Sequence, residues 1–431
     1  MMLSVKDYPS LGERIWCGTT AAGLRVRVVP KPGFAKQYAF LATDYGSLDI
    51  AFCSGGENYV TPLGVAHYLE HKMFDLPQRN AMQEFSALGG NPNAFTSYDI
   101  TAYYVQCTER FEENLDLLLE MVFTPWFTPE SVEKEQGIIA QEIRMYEDSA
   151  DSRVFENLFA AMYATHPVRH SIAGTVESIS HITSETLYAC HSAFYTPENM
   201  ILCVVGDVDP EQVFAAAERV KAGEPAVTGR DYGPGEEMRP KEALTECTME
   251  VAMPAFAIGF KAEPADMGKP SMARDILGDL AAELLMGESS PLYARLYDGG
   301  LIDAGFSCGY ESVRGAGMIS ASGDSEDPQS VLEAILEEAE RIDREGVDEE
   351  LFLRLKRSAI GRWIRGLDSF ESICYRLCAY EFSDVEYFDF MDVFREITAD
   401  QAASFLRGVV TRERAAMSVV WPKDKEVSQD A

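Results

Sequence analysis

Apolar residues along this chain fall into two spacings, and the spacings predict its elements. Leu24, Val26 and Val28 alternate with Arg25 and Arg27, the pattern of a half-buried strand. Pro30-Lys31-Pro32-Gly33 predicts a turn after it, with 38–42 as the partner strand, while residues 1–22 read as a short polar lead. Thr61 and Pro62 predict the cap and first turn of a helix running to Phe74. That helix is apolar nearly all round, so it is expected to be buried. A short helix over 81–88 stops at Gly89-Gly90, and 95–106 reads as one long strand. Residues 111–123 form an amphipathic helix ended by Pro125, and Thr128-Pro129 starts another. A helix over 151–165 and a buried strand over 201–206 close the first half.

Residues 222–241 are dense in glycine, proline and charge, the composition of a linker. Beyond them the elements return in similar order: a strand at 255–261, a helix at 272–286, strands near 305–310 and 317–321, and a helix at 329–345. A long helical stretch over 349–382 and a last strand at 415–421 follow. The reading is an α+β protein with two related domains, 1–221 and 242–431, each a mainly antiparallel sheet packed with helices.

Composition narrows the functional classes. With 37 basic and 70 acidic residues the net charge is −33, which argues against nucleic acid and anionic membrane as partners and is compatible with cationic peptides. The N-terminus lacks the basic-then-apolar build of a signal peptide, and no run is long enough to span a bilayer, so the expected compartment is the cytoplasm. The nine cysteines include no CxxC pair; Cys374 and Cys378 share a helix face with no third ligand near them. Free thiols in a reducing compartment are expected.

The chemistry concentrates in His67-x-x-Glu70-His71. On one helix His67 and His71 are i,i+4 neighbours with Glu70 on the same face, an arrangement that suits a metal ion. The pattern reverses the usual order of zinc peptidases. Two core histidines held by hydrogen bonds are the alternative. A third ligand is sought on the next long helix, where positions 132, 135, 138, 139, 142 and 145 make an apolar stripe interrupted by Glu135 and Glu142. Carboxylates on such a face must be paired, protonated or bound to metal. Glu142 is taken as the third ligand, and Glu135 as a supporting electrostatic residue; a structural ion pair is the alternative. Pro167 prevents a helical pair of His166 and His170, which read as loop residues, and His181 and His191 as structural ones.

Taken together, His67-x-x-Glu70-His71 and Glu142 resemble the motif of the pitrilysin/insulinase family of zinc peptidases. Gly89 to Thr96, His166-Pro167 to Gly174-Thr175, Phe194-Tyr195-x-Pro197-Glu198-Asn199-Met200 and Val204 to Val208 also resemble family stretches, over a match from about residue 20 to near residue 420. The likeness is strongest to short two-domain bacterial members. It implies Zn2+ on His67, His71 and Glu142, Glu70 as general base, and two domains facing each other across a chamber. Asn93, Ala94 and Thr96 would lie on an edge strand that pairs with peptide substrate. The family's complete members also carry an Arg and a Tyr, seven residues apart, that stabilise the oxyanion. Gapless matching puts Tyr297 and Ala304 there, and Arg295 and Tyr310 are stand-ins with the wrong spacing. The resemblance therefore implies a zinc endopeptidase for short or unfolded peptides, paired in a homo- or heterodimer with a related subunit that supplies Arg and Tyr. The competing reading is a weakly active or non-catalytic zinc subunit that binds peptides or scaffolds a partner.

Overall fold

The computed structural model describes residues 3–223, 227–265 and 267–423. Its first sheet has seven strands in the order Ser4–Tyr8, Glu13–Thr19, Arg25–Pro30, Met200–Gly206, Gln37–Thr43, Thr101–Cys107, Asn91–Thr96. Every residue of Met200–Gly206 is buried, so this strand needs neighbours on both edges and sheltered faces. It lies parallel to Arg25–Pro30 and antiparallel to Gln37–Thr43. The hairpin expected between the strands at 25–30 and 38–42 is therefore opened by a strand from far along the chain. The proline-rich turn is tied to the end of that inserted strand: Lys31 N–H donates to Gly206 O at 2.8 Å, and Gly33 N–H to Asp207 Oδ2 at 3.0 Å.

Two other expectations change. The polar lead is a hairpin of Ser4–Tyr8 and Glu13–Thr19, whose first strand is mostly exposed and carries no apolar alternation to read. The long strand at 95–106 is itself a hairpin, Asn91–Thr96 with Thr101–Cys107, closed where Ser97 N–H meets Ile100 O at 2.8 Å. Asn91–Thr96 is consequently the edge of the sheet.

The second sheet runs Leu244–Met249, Ala415–Pro422, Ala255–Ala262, Ala316–Asp324, Ser307–Val313. Here too the last strand of the half inserts between its first two, parallel to one and antiparallel to the other. The five strands from Arg25–Pro30 to Asn91–Thr96 and these five thus share one order and one pattern of direction, the internal repeat anticipated from the element order. The 222–241 stretch is more than a tether. Residues 224–226 lie outside the described residues, but Val227–Asp231 is a strand paired with Ala51–Ser54. The helical stretch 349–382 is two helices, Glu349–Gly366 and Phe370–Phe382, the second capped by Ser369.

The two halves exchange helices. Ala150–Met162 packs Leu158 and Met162 against Ala257, Met318 and Val420 of the second sheet. A Cβ on Gly259 would stand 2.5 Å from Met162 Sδ, which is why that strand has no side chain there. In return Phe370–Phe382 lays Ile373, Cys374 and Leu377 over Phe40, Ile201 and Val205 of the first sheet. Each buried Leu, Ile, Val, Phe or Met among them contributes about 1.5–3 kcal/mol. All nine cysteines are free, and no helix among the described residues is long and apolar enough to cross a membrane.

One ion pair fastens this seam. Glu236, from the connecting stretch, accepts from the backbone N–H groups of Thr165 at 2.6 Å and His166 at 2.7 Å, and from Lys261 Nζ at 2.9 Å. Lys261 is buried beneath Tyr163. Burial alone would raise the Glu236 carboxyl, but these donors hold it well below the ordinary range. Glu236→Ala leaves the Lys261 ammonium buried without its anion, and a loss of about 3–5 kcal/mol in urea unfolding is expected. The depressed carboxyl gives the sign with pH: its contribution is full above the ordinary carboxylate range and is lost as pH falls below it. A variant as stable as wild type at pH 7 would show that this ion pair does not hold the seam.

Candidate metal centre and its cleft

The helix bearing both histidines is Val65–Lys72, three residues shorter at its start than expected. Thr61 does not cap it, because its N–H and hydroxyl are both engaged with Ile50 O. Gly64 takes the N-cap position at φ 88° instead. A Cβ there would stand 2.4 Å from Ala173 O, and one on Gly174 would stand 2.6 Å from Leu63 O. Backbone therefore lies on backbone where the helix begins, and this contact fixes its position.

The second helix, Pro129–Glu147, starts as expected, with Thr128 and Ser131 forming a reciprocal cap. Its buried face is one lane away from the anticipated stripe. Val132, Ile139, Ala140 and Ile143 are buried, whereas Ile138 and Met145 are 48% and 60% exposed. Glu135 and Glu142 stand half-buried at the rim of that face, towards the histidines. The Tyr68 hydroxyl donates to Val132 O and clamps the two helices together.

Between these helices three expected ligands converge. His67 Nε2 is 3.6 Å from Glu142 Oε1, His71 Nε2 is 3.4 Å from Glu142 Oε2, and one donor atom from each residue lies within 4.8 Å of the others. Tetrahedral zinc with bonds of about 2.0–2.2 Å separates its ligand atoms by roughly 3.3–3.6 Å, and two imidazoles with one carboxylate gathered within 4.8 Å make a donor set of the kind such an ion takes. Glu135 lies beside the trio: its Oε1 is 3.1 Å from His71 Nδ1, which fixes the imidazole with Nε2 turned to the centre. Glu70 is not part of the donor set. Thr96 Oγ1 donates to its Oε2 at 2.7 Å, an engagement additional to the strand-edge role read for Thr96.

The three glutamates differ in acidity. Hydrogen bonding to His67, with help from Tyr146, holds Glu142 at about 2. His71 lowers Glu135, whereas burial raises Glu70. Burial would lower His71, but Glu135, Glu70 and Glu142 together raise it.

A cleft of about 400 Å³ opens over the trio, walled by Ala94, Phe95 and Thr96 of the edge strand and by Tyr98, Tyr146 and Glu156. Asn93 is exposed outside it, with its Oδ1 accepting from Ala94 N–H at 2.9 Å. Arg295 and Tyr310 do not line the cleft. Arg295 pairs with Glu338 at 3.0 Å, and Tyr310 is buried against Phe405. Tyr297 is exposed and stacked on Tyr293. His166 is buried at the seam, and the cleft takes Ser171, Ile172 and Ala173 after it; His191 bonds Val122 O as a structural residue. Sequence reasoning missed Tyr146, whose only signal was its place four residues after Glu142.

Comparisons with known proteins return members of one peptidase family. The insulinase (peptidase family M16) model matches residues 50–176, and one described as the peptidase M16 inactive domain matches residues 181–359. An uncharacterized zinc protease of Bacillus subtilis, YmfH, is 37% identical over 429 residues, 98% of this chain and 100% of its own. An uncharacterized zinc protease of Mycobacterium leprae is 32% identical over 51% of this chain and 48% of its own. The crystal structure of a putative M16-like peptidase from Alicyclobacillus acidocaldarius superposes with a TM-score of 0.92 at 32% identity, covering 97% of this chain and 100% of that one. A protease from Helicobacter pylori shares the fold, with a TM-score of 0.82 at 19% identity over 95% of this chain and 100% of its own.

Protons and metal compete at this centre, because an imidazole ligates only when neutral. With His71 raised, metal affinity is expected to fall about tenfold per pH unit once pH drops below that raised value, beginning above the ordinary histidine range. Competition with a chelating dye between pH 8 and pH 5.5 measures this. A flat affinity over that range would remove His71 from the donor set.

Proposed function

The chain belongs to the insulinase family, peptidase family M16, and on that premise we propose that it is a zinc-dependent endopeptidase cleaving short or unfolded peptides. The observation that carries the reading is Glu70: a carboxylate over the same cleft as His67, His71 and Glu142, oriented by Thr96 and left out of the donor set. A structural metal site has no use for such a group, whereas hydrolysis needs a base beside the attacking water.

Zinc on His67, His71 and Glu142 would supply a water of lowered pKa and a Lewis acid for the peptide carbonyl. The remaining work falls to side chains. Glu70 takes the proton of the attacking water and delivers it to the leaving nitrogen, and burial raises its pKa towards that task. Glu135 keeps His71 in one tautomer. The open side of Asn91–Thr96 receives substrate as an added strand, main chain to main chain, a mode tolerant of sequence. For this pairing the Asn93 side chain must release Ala94 N–H.

A related subunit completes the site in this reading. Arg295 and Tyr310 lie in the second half and do not line the cleft, so neither stands over it to stabilise an oxyanion. The same observation favours the second reading, a weakly active zinc subunit that binds peptide for a partner.

Glu70→Gln is expected to retain one zinc per chain and to lose hydrolysis of quenched fluorescent peptides, since an amide cannot accept the proton. Glu142→Gln is expected to lose zinc itself, and Glu135→Gln to lose less of it. Wild-type turnover in Glu70→Gln would refute the base, and full zinc in Glu142→Gln would refute the ligand. The isolated chain is expected to turn over about 10²–10³-fold more slowly than the chain mixed with a related subunit bearing the Arg and Tyr. Full chelator-sensitive activity in the isolated chain would overturn the need for a partner, and silence in both preparations would favour the scaffold reading.

A further inference from the structure

Tyr146 stands beside the donor trio without belonging to it. It stands one turn beyond Glu142 on Pro129–Glu147, and its hydroxyl donates to Glu142 Oε1 at 2.8 Å. Its ring is half-buried against the apolar core of the first half and also walls the cleft.

Glu142 carries its two oxygens differently. Oε2 faces His71 Nε2 at 3.4 Å, while Oε1, 3.6 Å from His67 Nε2, is the oxygen that receives the phenol. The other groups of the centre have separate supports: His71 is oriented by Glu135, and Glu70 by Thr96. A hydrogen bond to one oxygen of a carboxylate draws charge from it and leaves the other as the better donor.

We infer that Tyr146 is a positioning residue for the metal centre, whose hydroxyl holds Glu142 in one rotamer and leaves Oε2 as the ligating oxygen. A carboxylate bound through both oxygens would crowd the position that a catalytic site keeps open for water. Tyr146 acts against that crowding. The assignment rests on the peptidase reading, in which that position receives the reacting water.

The test is Tyr146→Phe, which keeps the ring and its packing and removes only the oxygen. Zinc affinity, read by competition with a chromophoric chelator, is expected to weaken about 10–100-fold, with the melting temperature of the metal-free protein unchanged. The cobalt-substituted variant is expected to show a weaker visible absorption, the mark of a higher coordination number. At saturating zinc, kcat is expected to fall with KM unchanged. In a double-mutant comparison Tyr146→Phe is expected to cost nothing further once Glu142→Gln is present. Zinc affinity within twofold of wild type with an unaltered cobalt spectrum would overturn the role of Tyr146. If Glu142→Gln loses zinc in that case, the metal centre itself stands. If wild type and Glu142→Gln take up zinc equally, the peptidase site is misassigned and the role of Tyr146 falls with it.

Discussion

The centre depends on one contact, the meeting of two imidazoles on a short helix with a carboxylate 71 positions later (142 − 71) on a long one. Neither helix can place these groups alone. An eight-residue helix has few residues with which to hold its own orientation, so its start is fixed by Gly64 against Ala173 and its middle by Tyr68 on Val132. A bulkier residue at 64 or a lost hydroxyl at 68 would move the two imidazoles relative to Glu142. The sheets and the second half act on the chemistry through this contact, by keeping both helices where they are.

Three residues of one type show how environment divides the labour. Glu142, facing two imidazoles and a phenol, is the strongest acid and stays anionic. Glu135 is lowered by the imidazole it orients. Glu70, accepting from one hydroxyl in a buried spot, is raised and becomes the member able to exchange a proton. The proposed roles of ligand, support and base fall to identical carboxylates, which differ because burial and hydrogen bonding pull in different proportions at each.

Much of this was legible in the chain. The i,i+4 spacing of His67 and His71 survives any shift of the helix boundary, which is why the two imidazoles meet Glu142 although the cap was misplaced. Glu142 was found through a stripe that lies one lane from the true buried face; a carboxylate at the rim of that face lies close enough to it for either reading. The insertion of Met200–Gly206 between two strands near the start was not legible, because local alternation says nothing about a partner some 160 residues distant. Tyr146 was not legible either, since a tyrosine at a half-buried helix position usually does no more than pack. Arg295 and Tyr310 needed coordinates, because only they show that one pairs with Glu338 and the other packs on Phe405, away from the cleft.

The exchanged helices also set an order on biosynthesis. The strand at the heart of the first sheet ends at residue 206, but the helix that covers that sheet's second face ends at residue 382, 176 residues later (382 − 206). At ribosomal rates of about 5–20 residues per second, the face bearing Phe40, Ile201 and Val205 waits roughly 9–35 s for its cover. The nascent first half is therefore sticky while it waits. Its open edge at Asn91–Thr96, where peptide is proposed to enter the mature protein, is then a place where two unfinished chains can pair. The Asn93 side chain on Ala94 N–H already occupies one donor of that edge, and so guards it before there is any substrate to bind.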